Sequence, residues 1–235
     1  MGTIKKWFKK EFINGYSKWE QGFLVSMVAL QLIVFAINPD SIINIIAGVA
    51  GVISVVLFAK GKLSAYFIGF IQTFTYLYLA WINRFYGEVL ENLFYFITMI
   101  WGIYVWKHNM TTNDDGIEEI KSRKFTIAQW TISIICTVIA TVIMGYCLTR
   151  IGSAQAYTDA ATNILAIFAQ FLMIWRYREQ WIWWLVIDLL CIKMWFVAGN
   201  WSMVVMYIAW TINCIYGWYN WTKLNKHQAT KSLGE

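Results

Sequence analysis

Eight apolar stretches, each close to the length of a membrane-crossing helix, follow one another along this chain with little between them. They fall at residues 20–38, 42–59, 63–82, 87–106, 125–148, 158–175, 180–197 and 201–221. About 20 apolar residues in a helix cover the roughly 30 Å hydrocarbon core of a bilayer. No water reaches the backbone there, so every N–H and C=O must be bonded within its own segment or in a closed barrel. The stretches are continuously apolar rather than alternating, which selects helices over barrel strands. Only 14% of the residues are charged and 59% are hydrophobic, whereas soluble domains carry about a quarter charged residues. The predicted fold is an all-α polytopic membrane protein with eight transmembrane helices.

The net charge of +6 is explained by where the basic residues lie. Lys5, Lys6, Lys9, Lys10 and Lys18 precede the first stretch. Lys60 and Lys62 occupy the second joint, Lys107, Lys121, Arg123 and Lys124 the fourth, and Arg176 and Arg178 the sixth; Lys223, Lys226 and Lys231 follow the last stretch. That places 16 basic residues on one side against Arg84 and Arg150 on the other, with Lys193 inside a stretch. The positive-inside rule then puts both termini in the cytoplasm, as an even number of spans also requires. The charge therefore marks topology and gives no sign of a nucleic-acid partner. Residues 5–19 read as an amphipathic collar at the inner headgroups. The first apolar stretch is long, starts late and lacks a small-residue cleavage site, so it is kept as a span and not a secretion signal.

The hydrophilic segment 107–124 divides the chain nearly in half and reads as a linker without a core of its own. Its two sides resemble each other: GIYVW at 102–106 matches GWYNW at 217–221, an offset of 115, and Lys60-Gly-Lys62 matches Arg176-Tyr-Arg178 at 116. At 116, Gln72 stands opposite Asp188 and Ser54 opposite Gln170. The expected organisation is an N-terminal segment (1–19), an extra helix (20–38), a first triple-helix repeat (42–106), a cytoplasmic loop (107–124), a linker helix (125–148), a second repeat (158–221) and a cytoplasmic tail (222–235). Two parallel repeats of this kind place a substrate site near the membrane midplane at their interface.

Ionisable groups inside a span are costly and mark function by default. Asp188 lies mid-way along the seventh stretch, and Trp181, Trp184, Asp188, Cys191 and Trp195 share one helical face. A carboxylate between indoles suits a flat cation, through counter-charge and cation–π attraction together. The bland alternative is a helix–helix hydrogen bond for Asp188 and an interfacial aromatic belt for Trp181 and Trp184, of which Trp184 is deep enough to be a site residue. Lys193 lies about 140° around the helix from Asp188 and reads as a snorkelling residue near the outer end. Gln72, Asn92, Gln170 and Asn213 are amides within spans, and they either line a cavity or hold helices together at roughly 0.6–2 kcal/mol per bond. Tyr95 and Tyr207 add candidate hydroxyl contacts, with core packing the competing reading. Glu88 and Glu91 read as solvated rim, and Gly48 and Gly51 as points of close helix approach. Cys136, Cys147, Cys191 and Cys214 read as small apolar packers, without metal or disulfide spacing. No nucleophile elbow, P-loop or zinc signature is present; the reading has no catalytic residue, no metal and no cofactor, and the chain is not expected to be an enzyme.

Several segments carry a family resemblance: GVISVVLFAKGKLSAYFIGFIQT (51–73), RFYGE (84–88), NLFYFITMIWGIYVWK (92–107), EQWIWWLVIDLLCIKMWF (179–196) and YGWYNW (216–221). Together they resemble the PnuC transporters, a family related to the SWEET carriers through a three-plus-one-plus-three helix plan. The resemblance covers about residues 45–222. It implies a facilitated-diffusion uniporter for nicotinamide riboside in a bacterial inner or plasma membrane, feeding NAD synthesis by alternating access, with cytoplasmic phosphorylation as the sink. It implies substrate contacts at Trp181, Trp184 and Asp188, and at Gln170, Asn213 and Tyr207. Thr98 and Lys193 stand where many relatives have proline, and the Pro-Gln signature of the wider superfamily is absent. The expected partners are a cationic vitamin, the bilayer and further copies in a homo-oligomer. Thiamine is the alternative cargo, and a non-transporting scaffold or receptor subunit the alternative class.

Overall fold

A computed structural model describes residues 9, 11–37, 42–82, 84, 86–112, 117–152, 155–197, 199 and 201–234, without the side chains at 44, 87, 88, 202 and 231–234. Lys5, Lys6, Lys10 and Pro39, and the side chains of Glu88 and Lys231, lie outside the described residues. Among those described, eight long helices carry the fold: α1 (Lys18–Ile37), α2 (Ile42–Ala59), α3 (Ser64–Ile82), α4 (Tyr86–Lys107), α5 (Ile127–Arg150), α6 (Ala156–Ile174), α7 (Gln180–Val197) and α8 (Trp201–Gly234). Six of them, α1 and α3 to α7, are long and apolar enough to cross a membrane, and α2 holds a shorter apolar run, Ile45–Ala59.

The apolar faces point outward, inverting the pattern of a soluble protein. On α5, Ile132, Ile135, Val138, Ile139, Val142 and Ile143 are all exposed, while Ser133, Thr137 and Gly145 are buried. Small residues inside let helix backbones approach, because apolar side chains gain nothing by leaving lipid for protein. A methyl group at Gly145 would sit 2.7 Å from Tyr157 Cε1 of α6. The start of α5 is set by a capping box: the Thr126 side chain accepts from the Gln129 N–H, and the Gln129 side chain accepts from the Thr126 N–H.

The chain forms two compact units, Met1–Lys121 and Ser122–Glu235. In the first, α1 packs on α2, α2 on α3 and α3 on α4; in the second, α5 packs on α6, α6 on α7 and α7 on α8. The segment that reads as a linker without a core of its own holds two short strands among its described residues. Strands β1 (Met110–Thr112) and β2 (Glu118–Ile120) pair antiparallel, and Ile120 is fully buried. Its neighbours spend their backbone groups on each unit's own turn. Within the first unit, Ile120 N–H donates to Gly61 C=O at 3.2 Å. Within the second, Arg123 N–H donates to Arg176 C=O at 2.8 Å, and Arg178 N–H to Arg123 C=O at 3.0 Å. Ser122 is gripped by the far end of α8, accepting from Asn225 Nδ2 and donating its N–H to Gln228 Oε1, both at 3.0 Å. Residues 222–234 are accordingly a continuation of α8 and not a separate tail.

The same helix-ending turn closes α2 and α6. After α2, Gly61 is left-handed (φ 72°), with Gly61 N–H on Phe58 C=O and Lys62 N–H on Leu57 C=O. After α6, Arg176 is left-handed (φ 67°), with Arg176 N–H on Met173 C=O and Tyr177 N–H on Leu172 C=O. Each is a Schellman motif, in which the last free carbonyls of a helix are satisfied by a left-handed residue. Every partner in the second turn lies 115 residues beyond its counterpart in the first. Two packed clusters repeat at that spacing. Tyr66 meets Trp106 edge-on at 5.1 Å and Trp181 meets Trp221 edge-on at 6.1 Å; a methyl at Gly102 would strike Tyr66, and one at Gly217 would strike Trp181. The turn register is thus 115 and not 116, so Thr73, one residue past Gln72, occupies the position of Asp188.

At the first turn, the N-terminal segment is held by charge. Ser64 Oγ donates to Glu11 Oε2 at 2.6 Å, and Lys60 pairs with Glu20 at 2.6 Å while lying over the Tyr16 ring. Burial, then the Glu11 and Glu20 carboxylates, push the Tyr16 phenol above its ordinary range, so it keeps its proton.

Candidate functional site

Helix α7 presents the predicted face inward. Trp181 is 4% exposed, Asp188 4% and Cys191 6%; Trp184 and Trp195 are half-buried against an apolar cluster that includes Leu165, Ala169, Leu172, Trp183 and Ile187. Val186, Leu189, Lys193 and Phe196 form the exposed side. Asp188 is the ninth of the helix's 18 residues, so its carboxylate sits at mid-helix, as far as the chain allows from either polar end.

The surroundings of Asp188 come from α7 itself and α8. The only hydrogen bond to its carboxylate among the described residues is donated by Cys214 Sγ of α8, at 3.3 Å to Oδ2. The Tyr207 hydroxyl, two turns earlier on α8, lies within electrostatic reach of both Cys191 and Asp188. No lysine or arginine forms an ion pair with Asp188 among the described residues. A thiol is a weak donor, so a buried carboxylate bonded by one thiol holds its charge only with a cation beside it. Such a group calls for a cation.

The other candidates fall into different places. Gln170 of α6 and Asn213 of α8 are each 3% exposed in the same unit as Asp188. Trp181 is buried near the start of α7, its ring laid over Gly217 and its edge toward Trp221, so it packs α7 onto α8. In the first unit, Gln72 of α3 is half-buried with its amide over Gly51 of α2, which makes Gly51 a point of close approach; Gly48 plays that part against Gln31 of α1. Asn92 and Tyr95 of α4 are half-buried. Cys136 and Cys147 are exposed on α5, as apolar packers would be in lipid. Cys214 departs from that reading, since it bonds the intramembrane acid. Nothing local in the sequence singles it out, because its partner lies 26 residues away on another helix.

A bundle of apolar helices with an uncompensated acid at mid-helix, and no grouping of His, Cys, Asp and Glu fit to hold a metal among the described residues, has the character of a carrier for small solutes. Comparison with known proteins agrees. Residues 41–223 match the nicotinamide mononucleotide transporter family. The chain is 36% identical to the nicotinamide riboside transporter PnuC of Haemophilus influenzae, over 95% of this chain and 98% of that one. It is 35% identical to the PnuC of Neisseria mucosa, over 95% and 88% respectively. Its fold matches the crystal structure of the vitamin B3 transporter PnuC with a TM-score of 0.81 at 35% identity, covering 94% of this chain and 98% of that one. The chain belongs to the PnuC transporter family. It is a multi-pass membrane protein, and the relatives it matches are transporters and not enzymes.

Proposed function

We propose that this protein carries nicotinamide riboside into a bacterial cell as a facilitated-diffusion uniporter working by alternating access, with both termini cytoplasmic. The observation that carries the reading is the Asp188 carboxylate, buried at mid-helix with a thiol as its one hydrogen-bond partner among the described residues. The pyridinium ring of the riboside supplies the missing positive charge, and Trp184, one turn before Asp188 on the same face, supplies a stacking surface. Tyr207, Gln170 and Asn213 are the candidate acceptors and donors for the ribose hydroxyls and carboxamide, with Trp181 a candidate ring contact and Gln72, Asn92 and Tyr95 the candidates from the first unit. The eight helices are taken as eight spans, arranged as an extra helix followed by two triple-helix repeats around the linker helix α5. Copies of the chain are expected to associate.

The same carboxylate argues for the riboside over the mononucleotide. A phosphate group carries about two negative charges near neutral pH and needs arginine, lysine or a helix N-terminus to enter a low-dielectric site. Among the described residues no basic side chain pairs with Asp188, and Lys193 lies on the exposed side of α7.

The test is uptake into proteoliposomes of three labelled solutes: the riboside, its mononucleotide and thiamine. Riboside entering down its gradient until the two sides are equal, with the mononucleotide excluded, is the expected result. Preferred entry of thiamine would move the cargo within the flat cations. Indifference to all three would leave the scaffold reading.

A further inference from the structure

The Asp188–Cys214 contact is an unusual way to leave an acid inside a membrane protein. Buried carboxylates ordinarily acquire strong donors, which neutralise their need for anything else. Here the carboxylate is oriented but not satisfied. The sulfur contact recurs in the first unit at the 115-residue register, where Thr73 Oγ1 donates to Met99 Sδ at 3.5 Å, both residues buried. The same two helix positions are thus joined through sulfur in each unit. In the first unit the pair is hydroxyl to thioether; in the second the donor is the thiol and the acceptor is a carboxyl group. Helix packing accounts for the sulfur bridge. It does not account for the acid, which the second unit alone adds.

We infer that Cys214 is a positioning residue which holds Asp188 toward the substrate, and that the pair makes the carrier selective for the charge of a flat ring and not its shape. The inference rests on the riboside reading above. Its content is a discrimination between two probes of nearly one skeleton: nicotinamide riboside, with a pyridinium cation, and 1,4-dihydronicotinamide riboside, whose ring is neutral. The cation compensates Asp188 on entering. The neutral ring supplies no counter-charge, so its own desolvation is not offset by an ion pair with Asp188.

The experiment measures binding of both probes to the purified full-length protein, its Asp188→Asn form, and the Cys214→Val and Cys214→Ser forms, each checked by thermal unfolding. The wild type is expected to prefer the pyridinium form by tenfold or more. Asp188→Asn should erase the preference. Cys214→Val, nearly isosteric but without a donor, should cut it at least fivefold, and Cys214→Ser, which keeps a donor, should restore most of it.

Retention of the wild-type probe ratio in Cys214→Val, or failure of Cys214→Ser to restore it, overturns the inference while the transport reading stands. Failure of the pyridinium probe to bind the wild type overturns both together.

Discussion

At the scale of single residues, the two neighbouring indoles Trp183 and Trp184 separate binding from packing. Trp183 is buried in the apolar cluster, edge-on to Phe168 at 5.2 Å, whereas Trp184 is half-buried on the Asp188 face. Trp183→Ala is expected to cost about 3–5 kcal/mol of stability, the usual range for emptying an aromatic site in a core, seen as an early unfolding transition in detergent. Trp184→Ala should leave that transition within a few degrees and raise the riboside KM by about 5–30-fold, the equivalent of roughly 1–2 kcal/mol of cation–π attraction. Equal loss of stability in both would show that Trp184 only packs. The aromatic face and its acid were legible from spacing alone. The identity of the group that meets the acid was not, because a contact between α7 and α8 depends on how two helices are rotated about their own axes, which hydropathy does not encode.

At the scale of elements, the paired turns after α2 and α6 explain a difference that looks arbitrary in sequence. Both need a left-handed residue, which costs an L side chain about 1–2 kcal/mol. The first uses Gly61 and the second uses Arg176. Gly61→Ala should therefore lower stability by about 1 kcal/mol, and Arg176→Gly should raise it by up to about 1 kcal/mol, since relief of the left-handed penalty exceeds the entropy that glycine loses. Chemical unfolding of each variant beside the wild type checks the signs. The glycines one turn before the closing tryptophans act differently. A Cβ at Gly217 would lie 2.5 Å from Trp181 Cδ2, and one at Gly102 2.5 Å from Tyr66 Cζ. These are buried ring atoms with no room to retreat, so Gly217→Ala and Gly102→Ala are each expected to cost about 1–3 kcal/mol, the range for overpacking. Short matches such as GIYVW and GWYNW exposed this correspondence in the sequence. The one-residue ambiguity at the lysine and arginine turn was settled only by backbone hydrogen bonds, which identify Gly61 with Arg176 whatever their side chains.

At the scale of the whole molecule, basic residues and helix count make a joint prediction of orientation. A green fluorescent protein fused after residue 235 should fluoresce in intact bacteria, and alkaline phosphatase fused there should be inactive; phosphatase placed at Gly152, in the joint after α5, should be active. The opposite pattern would overturn the cytoplasmic placement of the termini. The sequence by itself determined that the chain is a bundle of apolar helices, and nearly where all but the last begin and end: the stretches read at 42–59 and 180–197 are the helices Ile42–Ala59 and Gln180–Val197. That was possible because a helix satisfies its backbone within its own segment, so local composition is sufficient. Tertiary structure alone decided that the hydrophilic middle folds into paired strands around a buried Ile120, that α8 continues past Trp221 to grip Ser122, and that a thiol stands beside Asp188. Those outcomes join residues far apart in the chain, and they are set by packing register, which one sequence read from end to end does not contain.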